Sequence, residues 1–188
     1  PDFVGGGRSM NEQHALLASL KSCAKRKDLD QAIRLHCHIL DKGFLKKWIH
    51  LGNALISMYA KCSAIAKAQQ LHDACDARNV ISWNALITGY VQHGQAHESL
   101  RCFVSMQSEG FSPDVVTFTC ILKACASTGS IGKGIQIHDD IVHRGLLQKD
   151  IVLGTALVDM YAKCGSVSKA QEVHDGLPIR DIISWSAL

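Results

Sequence analysis

No stretch of this 188-residue sequence stays apolar for the roughly 18 residues a membrane-spanning helix needs, so no membrane partner is expected. Neither sign of charge dominates. The 20 Lys+Arg against 17 Asp+Glu leave a net +3, compatible with a polyanion partner but far short of arguing for one. Strict alternation of apolar and polar residues, the mark of a half-buried strand, occurs nowhere. No C-x-x-C pair is present, and the HCH at 36–38 sets two histidines next but one on a helix, pointing different ways. Neither a metal nor a cofactor is expected. The GSIGKG at 129–134 lacks the GxxxxGK[ST] spacing and a preceding strand, so it reads as an inter-helix turn and not as a phosphate loop. The opening PDFVGGGRSMNEQ has no basic start followed by an apolar stretch, and so does not read as a signal or transit peptide. The closing ISWSAL stops inside an apolar pattern, and both ends are expected to be cuts in a longer protein.

Hydrophobic residues are abundant at 47%, enough for a buried core, and charged residues at 20% exclude a disordered composition. The eight cysteines mostly sit among Ala, Leu and Ile, where a thiol behaves as a small buried hydrophobe. In a chain of this length and helical pattern they read as reduced core residues and not as a disulfide framework.

The sequence repeats itself. MYAKC occurs at 58–62 and at 160–164, an offset of 102 residues. The same offset pairs Cys23 with Cys125, His36 with His138, Gly43 with Gly145, His72 with His174 and Trp83 with Trp185. Residues 11–86 align on 113–188 without a gap, with about 31 identities. Within that period lie units 80–114, 115–150 and 151–181. Upstream, 13–48 matches the second type and 49–79 the third, while a further truncated unit opens at Ile182. Residues 1–12 are left as a flexible leader or the remnant of a preceding repeat.

Each unit reads as two helices. In 80–114, Ser82 is the expected N-cap, and Leu86 and Tyr90 form an i,i+4 apolar pair before HGQ at 93–95 breaks the pattern. Ala96, Leu100, Phe103 and Val104 then mark a second inner face, with Gly110 as a left-handed cap and Pro113 as the stop. Gly43, Gly145 and Gly176 take the same role elsewhere. The expected fold is all-α, a right-handed superhelical solenoid of stacked helix-turn-helix repeats. Each hairpin needs cover on both sides, so a truncated array should self-associate at high concentration.

Unit lengths of 35, 36 and 31 residues differ from the constant 34 of tetratricopeptide arrays. VISWNALITGYVQHG at 80–94, VVTFTCILKACASTGS at 115–130 and the ending MQSEGFSPD resemble pentatricopeptide repeats. NALISMYAKCSAIAKAQQLHD resembles their short variant, and GKGIQIHDDIVHRGL their long variant. The ordinary, long and short succession is similar to the mixed-repeat subclass of plants, whose full-length members mostly specify RNA editing sites in organelles.

The resemblance implies a non-enzymatic, sequence-specific reader of single-stranded RNA, about one base per repeat. In the family, the fifth and last residues of a unit choose the base. That pairing gives Asn53 with Asn79 for cytosine and Asn84 with Asp114 for uracil. Thr119 with Asp150 and Thr155 with Asp181 both correspond to guanine, and Ser186 opens a purine unit whose last residue is missing. Leu17 with Trp48 departs from the pattern and supports no base. The implied element is 5′-C-U-(G)-G-purine. The second residue of each unit flanks the base: Ile81, Val116, Val152 and Ile183 are apolar and β-branched, and His50 departs. Alone, each is equally a helix-start packing residue.

Lys61 and Lys163, thirteenth in the short units, correspond to backbone-contacting lysines in the family, where they would meet phosphates regardless of sequence. The structural alternative is a cation at a helix C-terminus. Gln92 and Ser127 hold that position in the other units, and Met58, Tyr59 and Cys62 read as packing. KRK at 25–27, with Lys46 and Lys47, is a solvated turn or a phosphate-steering patch. The recurrence of His72–Asp73 as His174–Asp175 marks repeat grammar and not a catalytic pair.

The zinc-deaminase signature is absent, so editing chemistry would belong to a missing region or to a separate editing factor or deaminase. A chloroplast or mitochondrial location follows from the resemblance alone, and no DNA partner is expected. The competing function is a helical-repeat scaffold for protein–protein interaction; a third is a spacer between functional repeats.

Overall fold

Short apolar runs at helical spacing fold as eleven helices and no strand among residues 5–75 and 78–177, which this computed structural model describes. The chain divides into two units between Gly89 and Tyr90.

The first unit holds α1 (Gly5–Arg26), α2 (Leu29–Asp41), the one-turn α3 (Phe44–Lys47), α4 (Ile49–Lys61) and α5 (Ile65–Asp73). From Gly5 onward the expected leader forms the first turns of α1, because Ser9 to Leu20 offers good helix formers and no breaker. Asp28 caps α2 by accepting from the Gln31 amide at 3.0 Å. α1 packs on α2 and α4, and α4 packs on α5. Leu20 and Cys23 from α1, Ile39 from α2, and Leu51, Leu55, Ile56 and Met58 from α4 are fully or almost fully buried. Each such side chain contributes about 1.5–3 kcal/mol of hydrophobic stabilisation. α6 (Val80–Gln92) crosses the division between the units.

The second unit contains α7 (Ala96–Ser108), α8 (Val115–Thr128), α9 (Ile131–His143), α10 (Ile151–Lys163) and α11 (Val167–Gly176). α8 packs on α7, α9 and α10, and α10 also packs on α9 and α11. The first helix of a pair is therefore apolar on more than one face, as Phe118, Ile121, Leu122 and Cys125 of α8 show by their burial.

The 102-residue repeat extends to individual contacts. His36 Nδ1 lies 2.9 Å from the Tyr59 hydroxyl, and His138 Nδ1 lies 3.0 Å from that of Tyr161. Lys67 stands 5.8 Å from the Tyr59 ring centroid, and Lys169 stands 5.8 Å from that of Tyr161. The Cys62 thiol donates to the Cys23 carbonyl, and the Cys164 thiol to the Cys125 carbonyl. Each junction of a long with a short unit is thus fastened alike, by a histidine, a buried tyrosine and a lysine, on α2, α4 and α5 in the first copy and on α9, α10 and α11 in the second.

Three local expectations are corrected. Ser82 is not the N-cap of α6: its amide donates to Asn79 Oδ1 at 3.0 Å while the Asn79 amide donates to Ser82 Oγ at 3.1 Å, so Asn79 caps and Ser82 answers three residues later. Gly176 is the last residue of α11 and is not left-handed, unlike Gly43, Gly110 and Gly145. Leu177 precedes Pro178, which favours extended backbone, and it leaves α11 at φ −71°, ψ 134°. In GSIGKG only Gly129 forms the left-handed turn. Gly132 and Gly134 lie in α9, and a Cβ on Gly134 would meet Met160 Cε of α10 at 2.6 Å.

Candidate nucleic-acid interface

α4, α6, α8 and α10 begin at Ile49, Val80, Val115 and Ile151, so the last residue of each preceding unit falls at a helix N-terminus. Asn, Asp and Ser oxygens satisfy the orphan amides there. Asn79 serves α6 as described. Asp114 forms a capping box with Thr117, its Oδ1 accepting from the Thr117 amide at 2.9 Å while Thr117 Oγ1 accepts from the Asp114 amide at 3.1 Å. Asp150 Oδ1 accepts from the amides of Val152 at 2.9 Å and Leu153 at 3.3 Å. A carboxylate in this place offsets the positive helix end, so the site suits a base edge better than a phosphate. Trp48 sits at the same place before α4; its carbonyl accepts from the Leu51 amide at 3.0 Å, and its side chain makes no capping bond to that helix.

The fifth residues lie one turn inside. Asn53 Nδ2 donates to Asn79 Oδ1 at 3.4 Å, bringing that pair together, although Asn53 is only 8% exposed. Thr119 Oγ1 donates to the Val115 carbonyl at 2.7 Å, and Thr155 Oγ1 donates to the Ile151 carbonyl at 3.0 Å. Both hydroxyl protons are thereby committed to backbone, leaving oxygen lone pairs to accept. The bonds of Thr119 and Asp150 go to backbone and not to each other. Asn84 and Leu17 are half-buried and Asp114 is exposed. Asp181, Ile183 and Ser186 lie outside the described residues.

The second residues face solvent. Ile81 is 62% exposed, Val116 51% and Val152 52%, and His50 is exposed as well. One exposed β-branched residue needs no explanation, but the same exposure at the starts of α6, α8 and α10 is a pattern of the repeat. Of the two lysines, Lys163 Nζ pairs with Asp159 Oδ2 at 2.9 Å, four residues back, an ion pair that sequence spacing could have revealed. Ser57 occupies the matching position before the exposed Lys61.

The histidine–tyrosine fastenings escaped the sequence reading, which took Tyr59 as packing alone. The signal was available: both pairs are 23 residues apart. Burial pushes the Tyr59 phenol up to about 12, with nearby Cys37 and Cys62 adding to it, and burial raises Tyr161 too. Burial lowers His36, aided by Lys67, and lowers His138 against the opposing pull of Asp139 and Glu172. A cleft of 460 Å³ opens beside His36, Tyr59 and Lys67, and one of 220 Å³ beside His138, Tyr161 and Lys169. No base-selecting residue lines either cleft. Burial also pushes the Cys125 thiol up to about 11 and raises Cys62 and Cys164, keeping these thiols protonated and inert. Among the described residues no group of three His, Cys, Asp or Glu could hold a metal, and no helix is long and apolar enough to cross a membrane.

Comparison with known proteins places these helix pairs in a repeat family. A family model described as the PPR repeat family matches residues 78–127, and one described as PPR repeat matches 116–146 and 155–181. Pentatricopeptide repeat-containing protein At2g13600 of Arabidopsis thaliana is 36% identical over 95% of this chain and 25% of its own length. From the same plant, chloroplastic At1g05750 is 35% identical over 72% of this chain and 25% of its own, and mitochondrial At3g53360 is 35% identical over 89% and 22%. The chain thus spans about a quarter of the length of these relatives. The crystal structure of pentatricopeptide repeat protein PPR10 from maize superposes with a TM-score of 0.72 at 20% identity, covering 92% of this chain and 26% of that one. The fold is therefore the helical-repeat solenoid. A structure of PPR10 in complex with an 18-nucleotide psaJ RNA element superposes with a TM-score of 0.68, at 20% identity over 84% of this chain and 24% of that one.

Proposed function

Since the chain belongs to the pentatricopeptide repeat family, we propose that it reads single-stranded RNA base by base, as the recognition part of an organelle RNA editing or processing factor of the mixed-repeat plant subclass. The observation that carries this reading is the register at three helix starts. A capping Asn79, Asp114 or Asp150 is followed two residues later by an exposed Ile81, Val116 or Val152. A polar group for a base edge beside an apolar surface for a base face is the combination that single-strand recognition needs. The committed protons of Thr119 and Thr155 support guanine at those units, because an oxygen left as acceptor matches the N–H groups of the guanine Watson–Crick edge. Asn53 with Asn79, and Asn84 with Asp114, complete an element near 5′-C-U-(G)-G-purine. Asp181 and Ser186 enter it on their sequence positions alone.

Lys61 and Lys163 serve as phosphate contacts, binding any sequence and making affinity fall with salt. The Lys163–Asp159 pair does not preclude this, since exposed ion pairs are worth about 0–1 kcal/mol and a phosphate can replace the carboxylate. Binding and base choice belong to this segment, while any deamination belongs elsewhere in a longer protein or to a partner. PPR10 bound to RNA and the chloroplastic and mitochondrial relatives support both the partner and the compartment.

The test is fluorescence anisotropy with RNAs containing CUGG or CGGG, at two salt concentrations, for the wild type and Asn84→Thr. The expected result is a wild-type preference for CUGG that the variant shifts toward CGGG. Salt-sensitive binding without preference would leave a backbone binder and remove the base assignments. Binding of neither RNA, persisting in an array extended at both ends, would favour the protein-scaffold or spacer reading.

A further inference from the structure

The long unit at 13–48 departs from its counterpart at 115–150 at its fifth and last residues, and the unit that follows departs at its second. Leu17 stands where Thr119 does, Trp48 where Asp150 does, and His50 where Val152 does. Two of the three changes share a direction. A hydroxyl becomes an alkyl group, a carboxylate becomes an indole, and an isopropyl group becomes an imidazole. At the first two, groups that hydrogen-bond a base edge give way to surfaces that meet a base face; at the third, one surface that meets a base face replaces another.

The exchange at Trp48 works against the local fold. Asp150 accepts two amides at the start of α10, whereas the indole, which has only a donor, makes no capping bond to α4. A helix start without a polar cap is weaker, so the aromatic is kept at this place despite the helix. It is also held firmly. The Trp48 amide donates to the Phe44 carbonyl at 2.8 Å, and the two rings pack with centroids 4.3 Å apart and planes inclined by 37°. Trp48 is half-buried in this contact, and the exposed His50 follows two residues later.

We propose that Leu17, Trp48 and His50 form a stacking site for one nucleobase immediately 5′ of the cytosine position, accepting any of the four bases by their faces. This rests on the RNA-reading function above and adds a nucleotide to its element without adding sequence information. Every base has a π-face, so stacking on indole or imidazole tolerates all four. Leu17 has no polar group that a wrong base could leave unpaired, so the unit has no means of rejecting one. The site anchors the strand where the hydrogen-bonding units begin.

The experiment titrates the 188-residue chain with RNAs in which the nucleotide 5′ of CUGG is A, C, G, U or an abasic spacer. For the wild type, the abasic RNA should bind about tenfold more weakly, the size of one stacked base, while the four bases agree to within about threefold. Trp48→Asp restores the capping residue found at Asp150, so circular dichroism should show the fold intact. In that variant the abasic penalty should vanish while the preference for CUGG over CGGG stays. Trp48→Phe should retain most of the penalty. A wild type indifferent to the abasic spacer but still preferring CUGG would overturn the stacking site and leave the RNA-reading function standing. So would a penalty that persists in Trp48→Asp. Absence of any CUGG preference would sink the base-reading function, and the stacking site with it, since its register would be undefined.

Discussion

Asn79 holds two roles that a pair of substitutions can separate. Its Oδ1 accepts from the Ser82 amide at 3.0 Å, capping α6, and from Asn53 Nδ2 at 3.4 Å, orienting the other half of the proposed base-selecting pair. Asn79→Asp keeps an oxygen in that place. Asp and Asn cap helices about equally well, and a carboxylate at the N-terminus adds about 0.3–1 kcal/mol through the dipole. The expected change is zero to about 1 kcal/mol of stabilisation, or up to about 4 °C in the thermal midpoint of a chain of this size. Asn79→Ala removes both acceptances. The cap costs about 1 kcal/mol and the stranded amide of the nearly buried Asn53 about 1–2 kcal/mol more, lowering the midpoint by about 5 °C or more. In RNA binding, Asn79→Asp turns the pair of unit 49–79 into the combination present as Asn84 with Asp114. Preference should therefore move from CUGG to UUGG by about tenfold, the cost of one mispaired polar group. Thermal unfolding followed by circular dichroism and anisotropy on the two RNAs read both effects. If Asn79→Asp unfolds as early as Asn79→Ala, the capping assignment is wrong. If it stays on CUGG, the base-selecting pair is misassigned.

The two lysines should differ. Lys61 has Ser57 four residues back where Lys163 has Asp159, so Lys61→Ala should weaken binding to every RNA more than Lys163→Ala does, and Asp159→Ala should strengthen it. The slope of log affinity against log salt should fall by about 0.7 for each phosphate no longer neutralised, and an unchanged slope in Lys61→Ala would remove that lysine from the interface. Acid should loosen the long–short junctions. Burial holds His36 and His138 below 6.5 in the folded chain, so the unfolded chain binds more protons once the pH drops past that value. Their contribution is whole above about pH 6.5 and is lost as pH falls from there toward the folded values. Urea midpoints should decline between about pH 7 and 5.5, and less steeply in a His36→Phe, His138→Phe double variant. Equal slopes would count against the buried neutral histidines.

Much of the fold was legible because its signals are periodic. Helix pairs follow from apolar spacing, and the 102-residue offset that aligns MYAKC with itself also aligns His36–Tyr59 with His138–Tyr161. What escaped depends on where a helix starts or ends within a few residues. Ser82 carries the right chemistry for an N-cap, yet three residues earlier Asn79 takes the cap and Ser82 takes the answering position of the box. Gly176 carries the right chemistry for a left-handed cap, but the proline two residues on draws Leu177 into extended backbone first. The exposure of Ile81, Val116 and Val152 could be inferred only through the register, since an isolated Val at a helix start is equally a core residue.

On the proposed register, the overlap of capping and reading narrows what the last residue of a unit can be. Asn79, Asp114 and Asp150 each close the backbone of the following helix with the same side chain that the proposed register assigns to a base. A residue there must accept from a helix amide or the helix weakens, which restricts the choice to Asn, Asp, Ser, Thr and little else. Within that set, exchange of Asn for Asp changes hydrogen-bond polarity and charge at almost no cost in stability. Specificity can then drift from unit to unit while the solenoid stays folded, since a substitution at one helix start disturbs only its neighbours in a stacked array. Trp48 shows the limit of this freedom. It leaves the capping set, and the structure compensates locally with the Phe44 ring and the short turn of α3. A position that departs from a rule its equivalents obey, and carries its own support, is where a different mode of contact with the partner is to be sought.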